Sequence, residues 1–550
     1  MSLDVYHLTG RRNDTPFNRL AVGDLLERNG ASRPEDVALI ASTPDSYTEE
    51  RFQRLTYGEL NRYCNQFAQA LLEVSSAPEQ KCLYLCENTN EALIAKFGMA
   101  KAGWVSVPVN PNLSADVLAS LVDLVEPRLL LCDSPFVERV QEALAPLDRN
   151  VDLVIPINGE SVDDIKTFAD FIAGQDERQP EVKIHGDDVW EILFTSGTTS
   201  MPKGAMISHQ YSYLAGYRYG MHFSRGVLQP HHYRMVSFLP VVYHCADQTL
   251  PMSCFLHGGA LVIGRELDFE ALLDAMTQEK VTSLWPGSPN AMRAIVETYD
   301  AEPERYDLSH LTTILYGYAV LPPELVDDLK RISQPELQII NSFAQTEVLA
   351  GFALYHDEKP RNEIADRQNM VGRADALLEA RIAGEPLGKR KTGEVCYRSP
   401  FAFSGYYKNP EETEKAIRDD WFYSGDVIMY DENDQAIMVD RVKDMIKTGG
   451  ENVSSSRVET VLASHPDVKQ AAVVGLPDKR WGEAVTGAVV LKPEAQVTAQ
   501  ELIAYCRERL AGFETPKAIY FVDHLPESIG GKIKKPALKE ELGRRKNAES

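Results

Sequence analysis

Short apolar runs separated by longer amphipathic stretches recur through most of this chain. Residues 81–86 (KCLYLC), 104–109 (WVSVPV) and 129–132 (LLLC) read as strands, with helices expected over 90–102 and 115–125 between them. The middle third repeats the pattern, with strands at 234–239, 260–263 and 283–285 and a helix over 269–279. Strands that are apolar along their whole length, alternating with helices, indicate parallel sheets with helices on both faces. At 550 residues the chain is too long for one core, so two or more domains are expected.

The texture changes after about residue 370. Short strands are expected at 381–383, 393–397 and 436–439, with turn residues between them and a turn-rich junction at 431–434. The last hundred residues read helix 456–464, strand 470–474, strand 485–491, helix 498–510 and strand 518–521, a compact α+β unit. Residues 534–547 are highly charged, and a mobile end is expected there.

The formal net charge of −24 argues against a nucleic-acid or anionic-membrane surface, both of which need a basic face. The eight cysteines form no C-x-x-C pair, which fits reduced thiols in a cytoplasmic protein. The start, MSLDVYH, lacks the features of a signal peptide, and no apolar run reaches the length of a membrane span.

Residues 195–204 (TSGTTSMPKG) follow the strand-like run 190–194 and place five hydroxyl residues, two glycines and one lysine in ten positions. A polyphosphate needs backbone donors from such a turn and one cation. Neither the Walker A pattern nor the G-x-G-x-x-G fingerprint is present. Taken alone, the loop also has the composition of an ordinary solvated turn, the lesser of the two readings.

Five further stretches carry chemistry. NSFAQTE (341–347) follows the apolar run 337–340 and offers Phe343 to a base and Glu347 to a cation. WFYSGD (421–426) ends in a carboxylate on an expected tight turn, suited to accept from both hydroxyls of a ribose. Residues 440–453 (DRVKDMIKTGGENV) combine dense charge with a double glycine, which is equally the composition of an exposed linker. Lys532 follows Gly530-Gly531, and residues 238–244 (FLPVVYH) end in an aromatic and an imidazole.

Singly these are weak; in this order they are specific. From about residue 20 to 540 the chain resembles the acyl-adenylate-forming superfamily of acyl- and aryl-CoA synthetases, luciferases and peptide-synthetase adenylation domains. Within it, residues 192–200 and 445–454 look most like acyl-CoA synthetases. The resemblance implies a large N-terminal AMP-binding domain of layered parallel sheets over residues 1–442, with a small β-rich subdomain at about 370–440. A mobile, small α+β domain follows over 443–550.

The resemblance also implies two half-reactions. A carboxylate first attacks the α-phosphorus of ATP to give acyl-AMP and pyrophosphate; coenzyme A then takes the acyl group. Thr195, Ser196, Gly197, Thr198, Thr199 and Lys203 would hold the β- and γ-phosphates, Thr346 the α-phosphate and Glu347 the Mg²⁺. Phe343, Asn341 and the Gly317-Tyr318-Ala319 backbone would surround adenine, with Asp426 and Arg441 on the ribose. Lys532 would bridge carboxylate and α-phosphate. The C-terminal domain would pivot at Lys443 and bring Lys447, Gly449 and Gly450 to the second half-reaction. Tyr243, Trp285, Gly287 and Tyr318 would shape the acyl pocket, and either Tyr243 or His244 would gate the thiol tunnel. A hydrophobic small-molecule carboxylic acid is the expected substrate. A carrier-protein acceptor and a homodimer stay open. Departures from the family pattern include Ser200, Ala344, Tyr318, Ser455 and Arg457.

Overall fold

The computed structural model describes the chain except residues 1–15, 17, 43–47, 148–150, 156–165, 196–201, 225–232, 243, 357–368, 383–384, 389–390, 528–532 and 550. The alternating segments form two sheets. In the first, Lys166–Thr167, Asp152–Ile155, Leu129–Cys132, Lys81–Leu85, Val105–Pro108, Val189–Thr195 and Lys203–Ser208 lie side by side. All are parallel except the last pair, which is an antiparallel hairpin around the Gly/Ser/Thr loop.

The second sheet has a parallel half and an antiparallel half. Val37–Ala41, Ala260–Ile263, Arg234–Ser237, Ser283–Gly287, Thr313–Tyr316 and Gln338–Gln345 run parallel. From Val348–Tyr355 onward the ladder is antiparallel, continuing through Met370–Ala374 into Ala436–Arg441, Trp421–Tyr430 and Thr392–Arg398. The strands of the expected β-rich unit are thus hydrogen-bonded into the same ladder.

One hydrophobic core joins the two sheets, with Tyr84, Leu131 and Trp190 from the first and Leu261, Leu315 and Ile340 from the second. The helix Asn90–Ala102 lies in it and is buried at every residue, which explains why its sequence shows no polar face. Its one mid-helix charge, Lys96, is ion-paired with Glu191 and Asp247, all three almost completely buried. Tyr84 donates to Asp247 at 2.8 Å and Gln248 to Glu191 at 2.6 Å. A buried charge is tolerated only when paired and hydrogen-bonded in this way.

Past Arg441 a separate five-stranded sheet begins, with Glu451–Val453, Ile446–Thr448, Gly482–Leu491 and Val468–Asp478 in order and Ala518–Phe521 parallel to Gly482–Leu491. Helices Ser455–Ala463 and Ala499–Arg507 contribute to one apolar cluster on this sheet. The second cluster is closed by a helix, Lys535–Glu549, where a loose charged end was expected. Its charges hid a narrow stripe: Leu538 and Leu542, one helical turn apart, are fully buried.

The expected tight turn at 424–426 is likewise corrected. These residues lie inside the ten-residue strand Trp421–Tyr430. Gly425 has φ 72° and the register shifts between Val427 and Ile428, so the strand is bulged rather than ended.

Candidate active site

Several of the expected residues stand at the carboxyl ends of the parallel strands of the second sheet, the usual ligand position in open sheets of this kind. Tyr316 is opposite Asn341, and Gly287 opposite Tyr316. The Gly317 N–H donates to the Gly287 carbonyl at 2.9 Å. A Cβ on Gly317 would stand 3.2 Å from the Ser342 carbonyl oxygen, so the backbone approaches closely there. Tyr318 has φ 70° and is 54% exposed. Asn341 is buried, and its Oδ1 has no hydrogen-bond partner. Phe343 packs at 6.3 Å from Phe352.

Gln338–Gln345 and Val348–Tyr355 pair with Gln345 opposite Val348, leaving Thr346 and Glu347 as the two residues of a hairpin turn. Glu347 accepts from the Tyr406 hydroxyl at 2.8 Å, and its backbone carbonyl accepts from Phe403 N at 2.7 Å. The segment carrying Tyr406 is also stitched to the strand after the phosphate loop. Met206 N donates to Gly405 O at 2.9 Å and Tyr407 N to Gly204 O at 2.8 Å. The Lys203 ammonium lies 5.2 Å from the Tyr406 ring centroid and is paired with Glu412. Hydrogen bonds from Lys203, then Lys415, pull the Glu412 carboxyl down to about 2. Burial, and then the Glu347 charge, pushes the Tyr406 hydroxyl up from its ordinary range. Sequence reasoning missed both Tyr406 and Glu412, because nothing local to residue 406 or 412 points to residues 347 or 203.

Asp426 and Arg441 are opposite each other on antiparallel strands and form an ion pair at 2.8 Å. Arg441 also donates through Nη2 to the Ser424 carbonyl at 3.3 Å. The two residues expected on a ribose are thus brought together.

Tyr211, on the helix His209–Phe223, joins two other expected positions. Its hydroxyl donates to the Thr346 carbonyl at 2.7 Å, and its ring meets His244 edge-on at 6.0 Å between centroids. Both nitrogens of His244 are buried without a hydrogen-bond partner. Burial, and then the Lys96 charge, holds this imidazole down to about 3, so it is neutral. It directly precedes a π-helical turn, Cys245–Thr249, a rare element that often marks functional sites. Trp285 is buried and meets Tyr219 of the same long helix at 6.1 Å.

Lys443 is exposed between Ala436–Arg441 and Ile446–Thr448, at the passage from the second sheet to the C-terminal sheet. Lys447, also exposed, precedes Gly449 and Gly450, the turn between Thr448 and Glu451, with φ 61° and 89°. Both angles are positive, as a type I′ hairpin requires, and glycine reaches them without a Cβ clash. Ser196, Gly197, Thr198, Thr199, Tyr243 and Lys532, with the side chain of Thr195, lie outside the described residues. Ala319, which donates from its backbone to Gly317 O at 2.9 Å, completes the turn after Thr313–Tyr316.

Among the described residues no cluster of three or more His, Cys, Asp or Glu side chains could hold a metal. Mg²⁺ bound with substrate phosphates needs only one or two carboxylates, and Glu347 fits that donor set.

Comparison with known proteins shows the family. The profile of the AMP-binding enzyme family matches residues 26–407, and that of the AMP-binding enzyme C-terminal domain matches residues 457–532. A feruloyl-CoA synthase of Amycolatopsis sp is 30% identical over 89% of this chain and 94% of the relative. The long-chain-fatty-acid–CoA ligase FadD13 of Mycobacterium tuberculosis is 28% identical over 94% of this chain and 98% of its own. Among solved structures, the amide bond synthetase McbA of Marinactinospora thermotolerans superposes with a TM-score of 0.81 at 25% identity, over 95% and 99% of the two chains. The chain belongs to the AMP-binding enzyme family. Its activity is that of an AMP-forming acid–thiol ligase: ATP-dependent activation of a carboxylic acid as acyl-AMP, then transfer to coenzyme A.

Proposed function

We propose that the two half-reactions are divided between the residues at the strand ends of the second sheet and the C-terminal sheet, with the domain boundary at residues 442–443. The observation that carries the first assignment is Tyr406, which touches both Glu347 and Lys203 and so ties the expected metal carboxylate to the expected phosphate lysine. Both reactants of adenylation are anions, so the site must offset their repulsion with placed cations and donors. Lys203 and residues 195–199 hold the β- and γ-phosphates. Thr346 binds the α-phosphate. Asp426 and Arg441 hold the ribose, while Asn341, Phe343 and the backbone of residues 317–319 enclose adenine. Mg²⁺ at Glu347 supplies positive charge to the phosphates when bound. Lys532 bridges the attacking carboxylate and the α-phosphate.

For the second half-reaction, the C-terminal domain turns about Lys443. Lys447, Gly449 and Gly450 then line the path of the thiol, with His244 as its gate. Neutral His244, with both nitrogens unpartnered, is free to turn without breaking a hydrogen bond. Trp285, Gly287, Tyr318 and Tyr243 shape the acyl pocket, and the buried Trp285 ring favours a hydrophobic acid. We place the reaction in the cytoplasm, because the seven cysteines whose side chains are described are buried thiols outside any disulfide.

ATP–pyrophosphate exchange with a panel of carboxylic acids, followed by addition of coenzyme A, tests this reading. Exchange without thioester formation would move the acceptor to a carrier protein or an amine. No exchange with any acid would overturn the assignment.

A further inference from the structure

A file of aromatic rings leads away from Trp285 along the helix His209–Phe223. Trp285 meets Tyr219 at 6.1 Å, Tyr219 meets His222 at 6.4 Å, and His222 meets Tyr355 at 5.7 Å. The file ends at a cavity of about 180 Å³ lined by His222, Leu354, Tyr355, Arg373, Asp375 and Gln435. Trp285 and this cavity thus stand at the two ends of one file of contacting rings.

Hydrogen-bond donors without partners follow the same path. Trp285 Nε1, His222 Nε2 and Arg218 Nη2 are all buried, and none has a hydrogen-bond partner. Arg218 is 5% exposed; its Nε donates to Asp375 at 2.5 Å and its Nη1 to the Leu349 carbonyl at 3.2 Å. The Tyr355 hydroxyl lies 2.5 Å from His222 Nδ1. When that hydroxyl donates to Nδ1, the proton of the neutral ring sits on Nε2, the unpartnered nitrogen. Burial, and then the Arg218 charge, holds His222 down to about 4, so the ring is neutral. Such buried donors are costly unless something accepts from them.

The charges at this end limit what that acceptor is. Asp375 compensates Arg218, and His222 is neutral. Arg373 is exposed, so its charge is solvated. The buried donors thus present no net charge that would balance a second carboxylate. We propose that the acyl site runs along this aromatic file to a polar subsite, where Arg218 and His222 donate to an uncharged carbonyl oxygen at the far end of the acid. The preferred substrate class is then a hydrophobic carboxylic acid bearing a distal ketone. This rests on the acid-activating reading above and narrows it.

The test is ATP–pyrophosphate exchange by the full chain with straight-chain acids of about six to twelve carbons. Each is assayed beside its distal keto analogue and the dicarboxylate of equal length. At one chain length the keto acid should exceed its parent in kcat/KM by about tenfold or more, because a site built to hydrogen-bond an oxygen discriminates strongly against its absence. His222→Phe should bring that ratio to about one, whereas His222→Gln, which keeps an N–H donor, should retain part of it. Equal kcat/KM for keto and parent acids at every length would overturn the subsite while leaving acid activation intact. A dicarboxylate preferred over the keto acid would overturn the uncharged-oxygen assignment. Exchange with no acid of any kind would defeat the acid-activating reading itself, and the subsite with it.

Discussion

Tyr406 donates its hydroxyl to the carboxylate of Glu347 at 2.8 Å across a sequence separation of 59 residues. The same ring lies beside the Lys203 ammonium. One side chain thus holds the turn that carries Glu347 against the end of the phosphate loop. Hydrogen bonds to a charged group contribute about 1.5–3 kcal/mol. Tyr406→Phe should lower adenylation kcat by roughly 10- to 100-fold. It should also raise the Mg²⁺ concentration needed for half-maximal exchange, because Glu347 is left free to turn away. Unchanged magnesium dependence in exchange assays would contradict a positioning role.

Lys532→Ala should abolish formation of acyl-AMP while largely sparing thioester formation from supplied acyl-AMP. Measuring the two half-reactions separately decides this. Equal loss of both would contradict a mechanism in which the C-terminal domain presents different residues in turn.

Ser455 is one of the positions where the chain departs from the pattern of the family it resembles. It donates to one Asp440 oxygen through both its backbone N–H, at 2.5 Å, and its hydroxyl, at 2.7 Å. Its hydroxyl also accepts from Lys535 at 2.6 Å. Ser455 is the first residue of its helix, where proline is sterically tolerated, so Ser455→Pro removes the bonds without breaking the helix. Loss of about 2–4 kcal/mol in denaturant unfolding is expected, with Ser455→Ala losing less. A Pro variant as stable as the wild type would show that Asp440 gains nothing from this contact.

Lys96 is the only cation bonded directly to Glu191 and Asp247 among the described residues. Burial, and then the neighbouring Asp247 charge, pushes the Glu191 carboxyl up. Lys96→Met would strand both carboxylates in the core. Breaking a buried pair costs about 3–5 kcal/mol, which thermal or urea unfolding would register.

His209 accepts from the Val22 N–H at Nδ1, 3.1 Å away, and is fully buried. Burial, and then the Arg19 charge, holds it down to about 3 from an ordinary value of 6.5. The folded ring stays neutral while the unfolded one takes up a proton below pH 6.5. Stability from this residue is therefore complete above pH 6.5 and is lost as pH falls toward about 3, at roughly 1.4 kcal/mol per pH unit. His209→Asn keeps an acceptor and removes the titration. Unfolding free energies of the two proteins should diverge in slope below pH 6.5, and parallel slopes would refute the assignment.

Much of the fold is legible in the chain because local and global preferences agree. The helices Asn90–Ala102 and Ala115–Val125 and the strands Leu129–Cys132, Ala260–Ile263 and Ala518–Phe521 fall at their expected bounds. The failures have specific causes. In Trp421–Tyr430, Ser424 and Gly425 imitate a turn, yet strands on both sides hold the segment extended. In Lys535–Glu549 the apolar signal is too narrow to stand out from the charges around it.

The sequence by itself determined the layered parallel architecture and the identity and order of the chemical groups, because periodicity and motif spacing are local properties. Only the tertiary structure decided which groups meet. It placed Asp426 against Arg441, Tyr406 against Glu347 and Lys203, and His222 and Arg218 at the end of the ring file from Trp285. Those pairings arise from strand order and from a helix packed across two sheets. Contacts between residues far apart in the chain are set by how the whole core closes, which no short window of sequence records.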